Sequence, residues 1–232
     1  MTTKELEFNG PDRRERSRRS RRRRRRRTLR RCLAGLLAVL TLAVAGVLLL
    51  RDRGLPGDGA DLPEYVEADL LPVNQWSRPG TPLEEINGVV LHYVGNPGTT
   101  AQANRNYFAS LSDGREGTYA SSHFIVGLDG EVLQCVPLTE VAYASNTRND
   151  DTVSIEVCHP DETGEFSAVT YRRAVELTAW LCRTFDLDPE TQVLRHYDVT
   201  GKVCPRYYVD HPEAWEQFLT DTAAALSRLE AP

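Results

Sequence analysis

The sequence predicts an α/β domain, a central mixed β-sheet flanked by helices, preceded by one N-terminal transmembrane helix. Three observations carry that expectation. Short β-branched runs at 88–94, 122–127, 131–136 and 153–158 are interspersed with segments of helical periodicity, the pattern of a sheet covered by helices. Asp129-Gly130 between two of those runs is a hairpin signal, so at least one strand pair is antiparallel and the sheet is mixed. Ahead of all of them, residues 32–50 run for 19 positions without a charge.

The N-terminal part is set apart by charge. Residues 1–51 hold 16 Lys/Arg against 4 Asp/Glu, and residues 52–232 hold 12 against 29. Arg21 to Arg27 are unbroken arginine; like charges at that density repel and stay solvated, so residues 1–31 read as a basic disordered segment. The apolar run 32–50 extends roughly 28 Å as a helix, close to the hydrocarbon thickness of a bilayer. A cleaved signal peptide competes, with Ala43-Val44-Ala45 as a small-residue site. The apolar run continues through Val47 to Leu50, which favours an uncleaved anchor. The flanking charge puts residues 1–31 in the cytoplasm and the rest outside, a single-pass protein of the cell membrane with an extracellular domain. The arginines then act as a topology signal touching anionic lipid, and no nucleic-acid partner is expected. Residues 51–63, rich in Gly, Pro and Asp, read as a flexible linker; residues 64–232 read as one domain, with no internal repeat.

Within the domain, the run 88–94 is a strand whose alternation puts Val90 and His92 on one face and Val89, Leu91 and Tyr93 on the other. Thr99 or Thr100 caps a helix to about Leu111, with Ala103, Tyr107 and Leu111 as its stripe. The hairpin follows, then the strand 153–158. A long helix from about Thr170 to Phe185 buries Ala174, Leu177, Leu181 and Phe185. A short strand at 192–194 leads into the loop after His196. Pro212 opens the last helix, which turns Trp215, Phe218, Leu219 and Ala223 inward.

Candidate chemistry gathers in R-H-Y-D-V-T-G-K-V-C-P-R-Y-Y, residues 195–208. His196 and Cys204 are both Zn²⁺ ligands by type, and His92 in G-V-V-L-H-Y-V is a third; a catalytic zinc usually takes three protein ligands and keeps one open position. Glu156, in S-I-E-V-C, is a carboxylate inside an apolar strand. It is either the wet face of an edge strand or a general base. Lys202 is the single lysine of residues 52–232, beside a candidate ligand, where it suits an oxyanion. His123 reads as a core or pocket-lining histidine; His159 and His211 adjoin prolines and read as exposed. Cys135 and Cys158 pair if their strands are adjacent, or stay as buried thiols.

Four stretches in order, G-V-V-L-H-Y-V-G-N, S-S-H-F-I-V-G-L-D-G-E-V-L-Q-C-V-P, S-I-E-V-C and R-H-Y-D-V-T-G-K-V-C-P-R, resemble the zinc-dependent N-acetylmuramoyl-L-alanine amidases of type 2, whose fold the peptidoglycan recognition proteins share. The resemblance runs from about Asn87 to Phe218. It implies a Zn²⁺ on His92, His196 and Cys204, a catalytic Glu156 and a helper Lys202. It implies peptidoglycan as substrate, cut at the amide between N-acetylmuramic acid and L-alanine. Two positions depart from the pattern of some members: Ser122 stands where a Tyr precedes the hairpin His, and a His is lacking near Ala144. A non-catalytic peptidoglycan receptor on the same fold is the alternative, but such proteins typically lose a zinc ligand.

Overall fold

A computed structural model describes residues 57–231. The basic segment 1–31, the anchor 32–50 and the first residues of the linker lie outside them. Among the described residues, no helix is long and apolar enough to cross a membrane. Ala60 and Leu62, within the stretch read as a linker, pack against the domain core.

The elements run in the order β1 (Val66–Ala68), β2 (Val89–Tyr93), α1 (Ala101–Ser110), β3 (Phe124–Val126), β4 (Val132–Gln134), β5 (Val153–Val157), α2 (Ala168–Phe185), α3 (Pro189–Gln192), β6 (Val193–Arg195), α4 (His196–Thr200), α5 (Arg206–Asp210) and α6 (Pro212–Glu230). The strands form one sheet in the order β1-β4-β3-β5-β2-β6. Only the β3–β4 hairpin is antiparallel; all other neighbours are parallel. The hairpin turns where Asp-Gly predicts, and Gly130 sits there at φ +82°, a conformation strained for other residues.

The sheet divides its two faces between stability and chemistry. On one face Val89, Leu91, Phe124, Val153 and Ile155 meet Ala174, Leu177 and Leu181 of α2 and Trp215 and Phe218 of α6 in the main core. These side chains are almost wholly removed from water, which stabilises by about 1.5–3 kcal/mol for each Val, Leu, Ile and Phe among them. Tyr171 ties the two helices, donating to Asp221 at 2.7 Å. On the other face Ile125 and Leu133 pack with Phe108 of α1, Leu111 and Val94 in a smaller core. His92, Ser154 and Glu156 belong to that second face.

Several expectations need correction. In α1 the buried residues are Ala101 and Phe108, followed by Leu111; Ala103 and Tyr107 face out. Burying Phe108 leaves the Tyr107 hydroxyl free to reach Glu116 at 3.3 Å. Thr100, one of the two threonines expected there, is the N-cap and accepts from the Ala103 amide at 3.2 Å. In α6 the buried stripe is Trp215, Phe218, Thr222 and Ala225, with Leu219 and Ala223 at its border. Thr222 is tolerated inside because its hydroxyl donates to the Phe218 carbonyl at 2.8 Å. His159 is buried, not exposed: it bridges the Val94 and Asp161 carbonyls and stacks on Tyr93. Cys135 and Cys158 are free, as are Cys182 and Cys204. Strand β3 separates the strands that lead to Cys135 and Cys158, two strand spacings or about 9–10 Å, beyond the reach of a disulfide.

Candidate metal centre and catalytic cleft

Sheet register assembles the site. β2 and β5 run parallel with His92 opposite Glu156. On the other side of β2, β6 pairs Leu91 with Arg195, so His196 emerges one step further along, beside His92. Ligand and carboxylate therefore lie at the C-terminal ends of parallel strands, where open α/β sheets place their ligands.

Cys204 arrives by a tight return. His196 begins α4, whose end is turned by Gly201 at φ +79°. The Tyr197 amide donates to the Cys204 carbonyl at 2.9 Å, which draws residue 204 back to the start of the helix. Arg195 anchors the turn through Asp198 at 2.7 Å and the Tyr208 carbonyl at 2.8 Å. The segment read as a loop is thus one helical turn and a short return.

His92, His196 and Cys204 are all buried, and their ligand atoms lie within 4.8 Å of one another. Cys204 Sγ is 3.9 Å from His92 Nδ1, and the two imidazoles meet edge to face at 4.6 Å. His196 Nδ1 is buried without a hydrogen-bond partner. A buried, unpartnered nitrogen beside a second imidazole and a thiol is an arrangement that a bound cation would satisfy. Two imidazoles and a thiolate are a catalytic zinc donor set with one position left open, so the residues present fit the metal.

The electrostatics agree. Burial, then His196 and Lys202, push His92 well below the usual histidine range; burial and Lys202 lower His196. Both are neutral at pH 7, as a metal ligand must be. Burial, with Glu156, pushes the Cys204 thiol up to about 12 against the opposing pull of the Tyr93 amide and Lys202. That thiol gives up its proton only when a cation takes the proton's place.

Glu156 and Lys202 line the same cleft as His92 and His196, about 430 Å³ in volume. Glu156 Oε2 is buried without a partner, and burial lifts its carboxyl to about 8 although Lys202 opposes the shift. The edge-strand reading of Glu156 fails, because β5 lies between β3 and β2. His123 is a core residue. Its Nδ1 accepts from the Ser154 amide and its Nε2 donates to the Glu140 carbonyl, each at 3.0 Å.

Sequence reasoning missed the opposite wall. Tyr143, Ala144, Asn146 and Asn149 line the cleft, with Tyr119 set edge to face against Tyr143 at 5.4 Å. Asn146 Oδ1 lies 2.9 Å from His196 Nε2, and Ser145 Oγ lies 3.2 Å from His92 Nε2. The only local signal was the density of Ser and Asn between the hairpin and β5.

Comparisons with known proteins agree with this geometry. A family model described as N-acetylmuramoyl-L-alanine amidase matches residues 82–207. The chain is 32% identical over 177 residues to the N-acetylmuramoyl-L-alanine amidase BlyA of Bacillus subtilis, which covers 68% of this chain and 46% of that protein. It is 36% identical over 155 residues to a probable N-acetylmuramoyl-L-alanine amidase of Bacillus licheniformis, covering 61% and 42%. The chain thus spans less than half the length of these curated relatives. Among solved structures, the catalytic domain of XlyA superposes with a TM-score of 0.57 at 26% identity, covering 68% of this chain and 98% of that one.

Proposed function

The chain belongs to the type 2 N-acetylmuramoyl-L-alanine amidase family, and on that premise we propose that it is a zinc-dependent hydrolase of the amide between N-acetylmuramic acid and L-alanine in peptidoglycan. The observation that carries the proposal is the cluster of His92, His196 and Cys204 at the floor of a cleft lined by His92, His196, Glu156 and Lys202. The rival reading, a peptidoglycan receptor that does not cut, expects a broken ligand set, and here the set is complete.

His92, His196 and Cys204 would hold the zinc. The chemistry zinc supplies in such a donor set is Lewis acidity toward water and a carbonyl oxygen. The rest falls to the chain. Glu156 takes the proton of the attacking water and returns it to the departing alanine nitrogen. A carboxyl raised toward neutrality suits both directions of transfer. Lys202 sets an ammonium where negative charge grows on the carbonyl oxygen. Tyr119 and Tyr143 offer the flat faces of the cleft to the substrate. The volume of about 430 Å³ suits a muramyl peptide rather than a polymer end buried whole.

Residues 32–50 are proposed to hold this domain at the outer face of the cell membrane, with residues 1–31 in the cytoplasm. The support is the uncharged 19-residue run behind a block of arginines. Digestion of purified cell wall tests the activity. New L-alanine amino termini without new reducing sugar ends are expected. Reducing ends without new amines would indicate a glycosidase and sink the reading.

A further inference from the structure

The wall facing the metal centre contains two adjacent residues, Ser145 and Asn146, that each reach one of the candidate ligand histidines from behind. Asn146 presents its carbonyl oxygen to His196 Nε2 at 2.9 Å. Ser145 presents its hydroxyl to His92 Nε2 at 3.2 Å. In both rings it is the far nitrogen that is occupied. The near nitrogens are the ones left for the centre: His196 Nδ1 is buried and unpartnered, and His92 Nδ1 faces Cys204 Sγ.

The backbone shows that this placement is held. Asn146 has φ +51°, the left-handed region, where a non-glycine residue is uncommon and asparagine is the best tolerated. Such conformations persist where the surroundings impose them and cluster at functional sites. Asn149 imposes this one: its Oδ1 accepts from the amides of Ala144 and Ser145 at 3.0 and 2.6 Å, pinning the chain just before Asn146. The side chain of residue 146 is thereby aimed at His196.

A neutral imidazole has one N–H and one lone pair, and a carbonyl oxygen can only accept. A carbonyl oxygen at Nε2 therefore keeps the proton there and leaves the lone pair on Nδ1. We propose that Asn146, assisted by Ser145, is a positioning residue of the metal centre. It fixes His196 as the Nε2–H tautomer and leaves its Nδ1 lone pair for the metal, while the Ser145 hydroxyl, which can accept or donate, steadies the His92 ring through Nε2. The inference rests on the metal-centre reading above and assigns a role to a stretch that carries none of the motif residues.

Three variants and two readouts test it. Asn146→Gly removes the acceptor while suiting φ +51°, so the fold survives. Its zinc dissociation constant, measured by chelator competition, should rise by roughly 10–100-fold, the usual cost of losing such a partner. Its melting temperature without zinc should stay at the wild-type value, which a merely structural residue would not allow. Asn146→Asp keeps an acceptor and should bind zinc at least as tightly as wild type. Ser145→Ala should weaken zinc in the same direction. The second readout needs no metal: the imidazole ¹⁵N shifts of His196 in zinc-free protein should report the Nε2–H tautomer, and lose that bias in Asn146→Gly.

Wild-type zinc affinity in Asn146→Gly, or an equal loss in Asn146→Asp, overturns the proposal, as does a His196 carrying its proton on Nδ1. Protein that binds zinc, shows these effects and leaves cell wall uncut would instead refute the amidase reading and leave this one standing.

Discussion

Replacing Glu156 by Gln separates the chemistry of the site from its architecture. Glu156 lies on a central strand, opposite His92, with Oε2 buried and unpartnered. The amide has nearly the same shape, so packing is preserved. It is also neutral, in a place where burial already lifts the carboxyl to about 8, so no charge interaction that supports the fold is removed. Zinc-free variant should therefore melt within a few degrees of wild type, the difference set by one buried NH₂ group, about 1–3 kcal/mol if it finds no partner. Zinc should still bind, because His92, His196 and Cys204 are untouched. Turnover is a different matter. Loss of a positioned general acid and base costs about 10²–10⁴-fold, or roughly 3–5 kcal/mol of transition-state stabilisation. The loss should fall on kcat with KM nearly unchanged, since proton transfer belongs to the transition state. The assay counts new L-alanine amino termini released from purified wall at several substrate concentrations, alongside zinc content and thermal melting. A folded, zinc-loaded variant turning over within about fivefold of wild type would refute the reasoning and leave Glu156 as a half-buried strand residue with no part in the chemistry.

Three further outcomes are expected. Cys204→Ala should weaken zinc by roughly 100-fold or more, beyond the cost of a supporting residue, and abolish wall cleavage; chelator competition measures it, and full zinc occupancy at wild-type affinity would remove Cys204 from the centre. His123 is held neutral by burial, its pKa lowered from 6.5 to about 4, so between those values the unfolded chain binds more protons than the folded one. Its contribution to stability is full above pH 6.5 and lost as pH falls toward 4, by up to about 1.4 kcal/mol per unit; urea unfolding of wild type against His123→Gln across that window should show the slope shrink in the variant. Protease added to intact, wall-stripped cells should remove the domain while sparing residues 1–31, whereas a mature N-terminus at Gly46 would make 32–50 a cleaved signal instead.

The strands that build the site were legible because their signal is local. A β-branched run needs no partner to be recognised, and Asp129-Gly130 fixes a hairpin by its own backbone preference. The chemistry-bearing residues followed, since His92, Glu156, His196 and Cys204 are types that an apolar strand or a shaped loop does not otherwise favour. What escaped depends on contacts between distant segments. β1 is three residues long and mostly exposed, and it is a strand only because β4 lies beside it. The rotation of α1 turned on whether Phe108 or Tyr107 went inside, a choice made by the second core and not by spacing. His159 looked like a loop histidine next to a proline, yet two carbonyls from separate segments close on it. Ser145 and Asn146 were invisible for the same reason: nothing in S-N-T-R-N says that it folds over two imidazoles.

The register of the parallel strands explains why so distant a set of residues can be held so closely. His92 and Glu156 lie on β2 and β5, and His196 follows directly on β6; each of these neighbouring strands is fixed by apolar partners on the opposite face. Leu91 and Ile155 anchor β2 and β5 in the main core, and Val193 anchors β6. A slip of one residue in β2 would turn His92 into that core and Leu91 into the cleft, burying an imidazole among leucines and exposing an apolar side chain. The two errors together cost several kcal/mol, a large fraction of the roughly 5–15 kcal/mol by which such a domain is stable. The hydrophobic pattern that selects the fold thus also selects the positions of three of the five candidate site residues. The remaining two, Lys202 and Cys204, lie on the return after α4, where Gly201 and the Tyr197–Cys204 bond set the geometry instead. A loop-borne ligand tolerates small displacements that a strand-borne one does not. Disorder introduced at Gly201 should therefore loosen Cys204 while His92 and His196 keep their places.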